Sequence, residues 1–384
     1  MRILHTTSSL DPIAGGVATA LGRLAESQAA AGMDVTIFST WVTIDTEPVA
    51  QQLRQRGVKV KLLHCRDPRS QHPQMPQILS DEFANADLIH IHGMWEEIQY
   101  WSGRIARQIS KPYVIAPHGM IAPWCLKKHN LPKRLYLRFR MKKNLDHADA
   151  IHYTSSVERD LCQSHKITAP TIVEANGLDL TEFKTLPATG AFRSRYPQIG
   201  DCPIILFLGR LSPKKGLDLL IPAFAKANIE NALLVLAGPD ENGYQQQLQN
   251  LADQFSISNR VLFTSMLRGI ERVEALVDAD LFALASYQEN FGIVVAEAMA
   301  AGCPVIISDQ VNIYGDITAA ACGAVVPCEI DPLAAQLSHW MKDVALRKSA
   351  GARGRAAAFA QYDSDQIALR WREHYQKIIA SHSA

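Results

Sequence analysis

Short runs of apolar, β-branched residues alternate along the chain with longer stretches whose apolar positions recur at helical spacing. The short runs predict strands at Met1 to His5, Asp34 to Ser39, Val58 to Leu63, Leu88 to His92, Tyr113 to Pro117 and Ala150 to Tyr153. A second series follows at Pro203 to Gly209, Ala232 to Gly238, Arg260 to Thr264, Leu281 to Ser286 and Val305 to Ser308. A helix is predicted between Val17 and Ala31, with Gly32 placed to close it. Strands that alternate with helices in this way form parallel sheets. The periodicity breaks at Leu186-Pro187-Ala188-Thr189-Gly190 and Tyr196-Pro197, so two doubly wound α/β domains are expected, residues 1–186 and 187–363. Residues 364–384 carry a last helical pattern (Ile367, Leu369, Trp371, Tyr375, Ile378) that is expected to cross back to the first domain.

Composition sharpens this only in part. A length of 384 residues suits two domains, and 47% hydrophobic with 20% charged residues is the balance of a globular protein. Lys plus Arg is 39 against 38 for Asp plus Glu, which excludes nucleic-acid binding by bulk charge. The seven cysteines are scattered with no CxxC pair, the usage of a reducing compartment, and no stretch approaches the roughly 20 apolar residues of a membrane span. A cytoplasmic protein is expected. Charge is nevertheless uneven, because no Asp or Glu occurs from Ile98 to Leu145 while eleven Lys and Arg do. In 124–145 these basic residues are mixed with Leu131, Leu135, Tyr136, Leu137, Phe139 and Met141, a pattern suited to the anionic inner face of a membrane, or to a solvated helix beside a cleft.

Candidate chemistry sits where predicted strands give way to loops. Gly15-Gly16 opens the first helix, where backbone amides and the helix dipole favour an anion, and GxGxxG is absent. Gly209-Arg210 ends a buried strand, and Lys214-Lys215-Gly216 follows, placing cations suited to a diphosphate at the sheet edge where such folds bind ligands. Farther on, Glu289 and Glu297 are eight residues apart, with Asn290-Phe291-Gly292 between them at the start of a helix. With Glu289 in the loop and Glu297 two turns into the helix, both are expected to point to one cleft. Carboxylates beside a phosphate site call for neutral partners, and sugar or ribose hydroxyls meet that need. His90 and His92 share a strand face with no third ligand at a diagnostic spacing, and are read as structural. Asp278-Ala279-Asp280 is formally a DxD metal motif, but it precedes a buried strand and is also read as structural; no metal ion is expected.

Over almost its whole length the chain resembles the retaining glycosyltransferases of the GT-B fold, family 4 (glycosyl transferases group 1). The resemblance rests on Gly15-Gly16, Asn176-Gly177-Leu178-Asp179, Gly209-Arg210 with Lys215-Gly216, Ala237-Gly238-Pro239, and the E-x7-E pattern Glu289 to Glu297 running into Gly302-Cys303-Pro304. It implies two Rossmann-like domains facing across a cleft, the second binding a UDP-, GDP- or other nucleotide-sugar donor. The first would bind a glycan or polyprenyl-diphosphate-linked acceptor, in the synthesis of cell-surface polysaccharide, and no cofactor is implied. Arg210 and Lys215 would hold the diphosphate, with Gly209 beside them, and Gly15 and Gly16 would approach it from the first domain. Glu289 would contact sugar hydroxyls, Asn290 would lie beside it, and Glu297 would contact the ribose. The amides of Phe291, Gly292 and Ile293 would face the phosphates, and Leu267 the base. His118, in Ala116-Pro117-His118-Gly119-Met120, matches the acceptor-side histidine and is read as positioning a sugar. A nucleotide-sugar epimerase of the same fold, or a non-catalytic nucleotide-sugar-binding protein, are the alternatives.

Overall fold

The computed structural model describes residues 1–11, 16–43, 45–65, 72–127 and 130–382. The chain divides into two compact units: unit one is Met1–Gly177 with Ser364–Ala384, and unit two is Leu178–Asp363. The division lies at residue 177 rather than 186, because Leu178 donates its N–H to Tyr362 O at 2.7 Å and Arg355 reaches Phe183 O at 2.6 Å. Residues 178–186 are therefore tied to unit two.

Unit one is a parallel sheet of β1 (Arg2–Ser9), β2 (Asp34–Trp41), β3 (Lys59–Cys65), β4 (Leu88–His92), β5 (Tyr113–Ala116), β6 (Ala150–Tyr153) and β7 (Thr171–Val173), in the order β3-β2-β1-β4-β5-β6-β7. One face packs Ile89, Ile91 and Ile115 beneath Leu79 and Phe83 of helix Met75–Ala84 and Ile98 of helix Glu97–Gln108. The other packs Ile3, Leu88 and Val114 beneath Leu21 of helix Gly16–Ala30 and Trp371 of helix Ser364–His382. This last helix carries Trp371 and Tyr375 fully into the core of unit one.

Unit two repeats the plan with β8 (Ile204–Leu208), β9 (Leu233–Ala237), β10 (Val261–Phe263), β11 (Leu281–Leu284), β12 (Val305–Ser308) and β13 (Gly323–Val326), in the order β10-β9-β8-β11-β12-β13. Every side chain of β8 and β11 is buried, as the unbroken apolar runs require of strands covered on both faces. Neither β7 nor β13 stands out in the hydrophobic pattern of the sequence. One is three partly exposed residues and the other opens on a glycine and is only partly buried, so neither shows the apolar run of a central strand. In each sheet the strand order reverses once, between β1 and β4 and between β8 and β11, and such switch points are where doubly wound sheets bind ligands.

Candidate active site

At the switch point of unit two the loops after β8 and β11 are knit together by backbone. Gly209 N–H bonds Ala237 O at 2.9 Å, and a single 3-10 turn, Pro213–Lys215, carries the cations. Gly216 then adopts φ +67°, and a Cβ there would lie 1.9 Å from Ala285 O, so only glycine lets this turn close against the end of β11. Tyr287 N–H bonds Lys214 O at 3.0 Å. Glu289 is pinned on both sides, its N–H to Gln310 O at 2.9 Å and its carbonyl accepting from Asn312 N–H at 3.0 Å. These bonds bring Lys215 and Glu289, 74 residues apart, into a direct ion pair with both side chains mostly buried. Burial pushes the Glu289 carboxyl up, but Lys215, with Lys214 and Arg210 behind it, outweighs burial and holds it below the usual range. Glu289 is therefore an ionised acceptor for hydrogen bonds.

Beside this pair, Gly292 (φ +78°) starts helix Ile293–Ala301 with no side-chain cap, leaving the first amides without intrahelical partners. Phe291 is buried edge-on against Tyr362, which fixes the loop before the helix, and Asn290 accepts from Asn312 Nδ2 at 3.4 Å. Arg210 is half exposed and makes a loose 3.2 Å pair with Glu241. Leu267 is buried in the loop after β10.

Glu297 is placed differently from the expectation. It stands about one turn into its helix rather than two, is 2% exposed, and gives one oxygen to Arg272 Nη1 at 2.7 Å. Arg272 also pairs with Glu182, and nothing in the sequence spacing links it to Glu297. Asp278 accepts from Gly190 N–H at 2.6 Å and Arg193 N–H at 3.1 Å, while Asp280 accepts from Ile204 N–H at 2.9 Å and Arg347 at 3.1 Å. These two carboxylates are occupied in tying helix and strand together.

In unit one, His118 follows β5 with φ +50°, a conformation a non-glycine residue adopts at a cost of about 1–3 kcal/mol and keeps only where its surroundings enforce it. The enforcement comes from buried Glu158, which accepts from Gly119 N–H and, through its other oxygen, from Thr154 N–H at 2.7 Å. His118 Nε2 lies 3.0 Å from His92 Nδ1. Burial, with His152 adding to it, lowers the His118 imidazole to about 3, so it is neutral. His90 and His92 do have a third imidazole beside them: His5 on β1, opposite His90 in the sheet register, brings one nitrogen of each within 4.8 Å. Strand pairing across 85 residues makes this cluster, and spacing along one strand could not show it. Gly16 begins its helix with open space around it, and Gly15 lies outside the described residues.

The basic stretch is less free than its count suggests. Arg140 pairs with Glu97 at 2.8 Å, Lys142 with Asp146, Arg107 with the Asn144 side chain at 2.8 Å, and Lys133 with Cys125 O at 2.6 Å. Arg134, Arg138 and Lys143 make no ion pair among the described residues; Lys128 and the Lys127 side chain lie outside them. Leu131 (68%), Leu135 (47%) and Phe139 (75%) are exposed at i, i+4 and i+8 along the same segment.

Two doubly wound units, one with an uncapped helix and fixed cations at its switch point, have the architecture of GT-B sugar-transferring enzymes. Residues 15–177 match the glycosyl transferase 4-like domain family and residues 191–357 match glycosyl transferases group 1; the chain is a glycosyltransferase of the GT-B fold, built from one domain of each. An uncharacterized glycosyltransferase of Methanocaldococcus jannaschii is 25% identical over 338 residues, covering 86% of this chain and 79% of that protein. D-inositol 3-phosphate glycosyltransferase of Nocardia farcinica is 27% identical over 350 residues, covering 84% and 76%. Among solved structures, HepE of Anabaena in complex with UDP-glucose superposes with a TM-score of 0.81 at 20% identity, over 98% of this chain and 100% of that one. Sucrose-phosphate synthase of Thermosynechococcus elongatus gives 0.78 at 22%, over 99% and 100%.

Proposed function

We propose that unit two holds a nucleotide-diphosphate sugar and that its glycosyl group passes, with retention of anomeric configuration, to a glycan or polyprenyl-diphosphate-linked acceptor held by unit one. The observation that carries this reading is the backbone-pinned Lys215–Glu289 pair beside the uncapped helix at Ile293. As the bond from the anomeric carbon to the diphosphate breaks, negative charge grows on the leaving oxygen. Lys215, the half-exposed Arg210 and the amides of Gly292 and Ile293 are donors for that charge, and donors aimed where charge develops accelerate the step. Ionised Glu289 accepts from hydroxyls of the transferred sugar and orients its ring. Release on one face, with the leaving phosphate taking the acceptor proton, gives retention without a covalent enzyme intermediate. Bound UDP-glucose in the Anabaena HepE structure supports the donor class. The reaction as proposed uses no metal ion, and the engagement of Asp278 and Asp280 in backbone and arginine bonds supports that.

The Leu131, Leu135 and Phe139 row, flanked by Arg134 and Arg138, supports docking on an anionic membrane surface, as a lipid-linked acceptor for cell-surface polysaccharide requires. Among the described residues no helix is long and apolar enough to cross a membrane. The transfer reading is tested by incubating the protein with nucleotide sugars and with glycan or lipid-diphosphate acceptors. Nucleotide release that depends on acceptor, with the donor's anomeric configuration in the product, is expected. Inverted product would overturn retention, and acceptor-independent release with an epimerised sugar would point to an epimerase. Vesicle sedimentation tests the docking: Leu131→Ser with Leu135→Ser and Phe139→Ser should abolish binding to anionic vesicles, and undiminished binding counts against it.

A further inference from the structure

Beneath His118 lies a chain of hydrogen bonds that runs through two strands, β4 and β1, into the helical layer. His118 Nε2 meets His92 Nδ1 at 3.0 Å, His92 Nε2 meets His5 Nδ1 at 3.0 Å, and His5 Nε2 meets Gln28 Oε1 at 2.7 Å. The Gln28 amide then donates through Nε2 to the Tyr375 hydroxyl at 3.1 Å, and that hydroxyl lies 2.8 Å from His90 Nδ1. His5, Gln28, His90, His92 and Tyr375 are all buried. A neutral imidazole has one N–H and one lone pair, so each ring in such a chain passes on the direction it receives. The Oε1 of Gln28 can only accept, which puts the His5 proton on Nε2 and leaves Nδ1 to accept. His92 must then donate from Nε2 and accept at Nδ1, and His118 must donate from Nε2.

We propose that Gln28 and Tyr375 act as positioning residues that set the tautomer of His118 through His5 and His92, so that His118 Nδ1 is presented as a lone pair for a substrate hydroxyl. Nδ1 has no partner among the described residues, and the His118 ring is only partly buried. The opposite polarity, with the Gln28 amide turned over, would present an N–H there instead. A separate observation favours the first. His152 Nε2 donates to Glu174 O at 2.9 Å, so His152 Nδ1 is a buried lone pair without a partner. His90 Nε2, the other buried imidazole nitrogen without a partner, belongs to a ring whose centroid is 5.4 Å from that of His152, and the indole of Trp371 packs against both rings. If Tyr375 donates to His90 Nδ1, His90 Nε2 carries a proton, so the ring next to the His152 lone pair offers a donor. Turned over, these neighbouring rings would carry two buried lone pairs and no donor between them.

The rings are stacked as well as bonded, His90 on His92 at 4.3 Å and His92 on His118 at 5.3 Å, which limits rotation out of the chain. Burial, with the neighbouring imidazoles adding to it, holds His90 and His92 well below the ordinary histidine value, while His5 lies at about 4, so every ring in the relay is neutral near neutrality. The close approach of His5, His90 and His92 is thereby explained without a metal ion, since five of their six ring nitrogens are engaged in hydrogen bonds.

The role of His118 toward a sugar rests on the transferase reading, but its tautomer does not. The test is long-range proton–nitrogen correlation on the full chain labelled with nitrogen-15 histidine, assigned by single His→Asn variants and run without sugar. In the wild type His5, His92 and His118 should each show a protonated Nε2 and an unprotonated Nδ1. In Tyr375→Phe, which removes only the hydroxyl that orients Gln28, His118 should lose this single pattern and show both tautomers. Gln28→Met should do the same. A wild-type His118 protonated at Nδ1 overturns the proposal, as does a His118 pattern unchanged in a folded Tyr375→Phe. The wild-type spectrum decides the polarity even if a variant fails to fold. Loss of sugar transfer with the tautomers as described would strike the transferase reading alone.

Discussion

In unit two, Lys215 and Glu289 meet as opposite charges at the mouth of the sheet, whereas in unit one His5, His92 and His118 meet as neutral rings within it. The two sheets share a topology, and the difference lies in what surrounds the polar groups. The charged pair keeps about a fifth of its side-chain surface open, so solvent shares the cost of the charges and the partner supplies the rest. His5 and His92 are fully buried beside His90, which packs against Trp371 and Tyr375, and burial removes the charge from the imidazoles instead. A diphosphate requires accessible positive charge; a hydroxyl requires only a hydrogen bond of defined direction. Each unit carries the electrostatics that suits one of those ligands.

Acid should separate the two units most strongly. His5, His118 and His152 titrate at about 4, 3 and 4 in the folded state, and His90 and His92 also lie well below 6.5. Between 6.5 and those values the unfolded chain binds more protons, so stability is intact above pH 6.5 and is lost as pH falls through this window. Each imidazole contributes a slope of up to about 1.4 kcal/mol per pH unit. Glu289, lowered from 4.5, withdraws its stabilisation only below that value. Unit one should therefore unfold first on acidification. Tryptophan fluorescence reads this directly, because Trp340 alone of the six tryptophans lies in unit two. Simultaneous loss of both units would break the contrast.

A turnover measurement comes next in size. Lys215→Ala should lower turnover at least about a hundredfold, the loss seen when one stabilising donor is removed from a developing charge. His118→Ala should cost less and act more on acceptor KM, since a positioning contact is replaced rather than a charge. Near-normal turnover in Lys215→Ala would contradict the assignment. Gly216→Ala should destabilise unit two by about 1–3 kcal/mol in urea unfolding and leave unit one unchanged, because its positive φ and the Ala285 carbonyl both oppose a side chain. Arg210→Ala should shift stability by less than about 1 kcal/mol, as its pair with Glu241 is exposed, while still lowering turnover.

The contrast also explains what could be read from sequence. Unit two announces itself locally: Gly209 to Gly216 is a single loop, and Glu289 to Ile293 directly precedes a helix, so the residues that matter are neighbours along the chain. What those runs did not disclose is their pairing, since Lys215 reaches Glu289 and Arg272 reaches Glu297 only once the sheet is formed. In unit one almost everything of interest is nonlocal. His5 and His92 are 87 residues apart and Gln28 and Tyr375 are 347 apart, and a buried histidine on a strand looks like any other polar residue until the facing strand is known. The same reason hid the unit boundary, which depends on Leu178 meeting Tyr362 rather than on the Pro- and Gly-rich break at 186–190.

The central claim, that Lys215 and the helix at Ile293 receive the diphosphate of a nucleotide sugar, is tested most directly by ligand-dependent melting. A ligand that binds only the folded state raises its melting temperature in proportion to the logarithm of concentration over Kd. With a panel of nucleotide-diphosphate sugars, one or more should give a saturable rise in the wild type that is lost in Lys215→Ala. A rise of the same size in a folded Lys215→Ala would contradict the account.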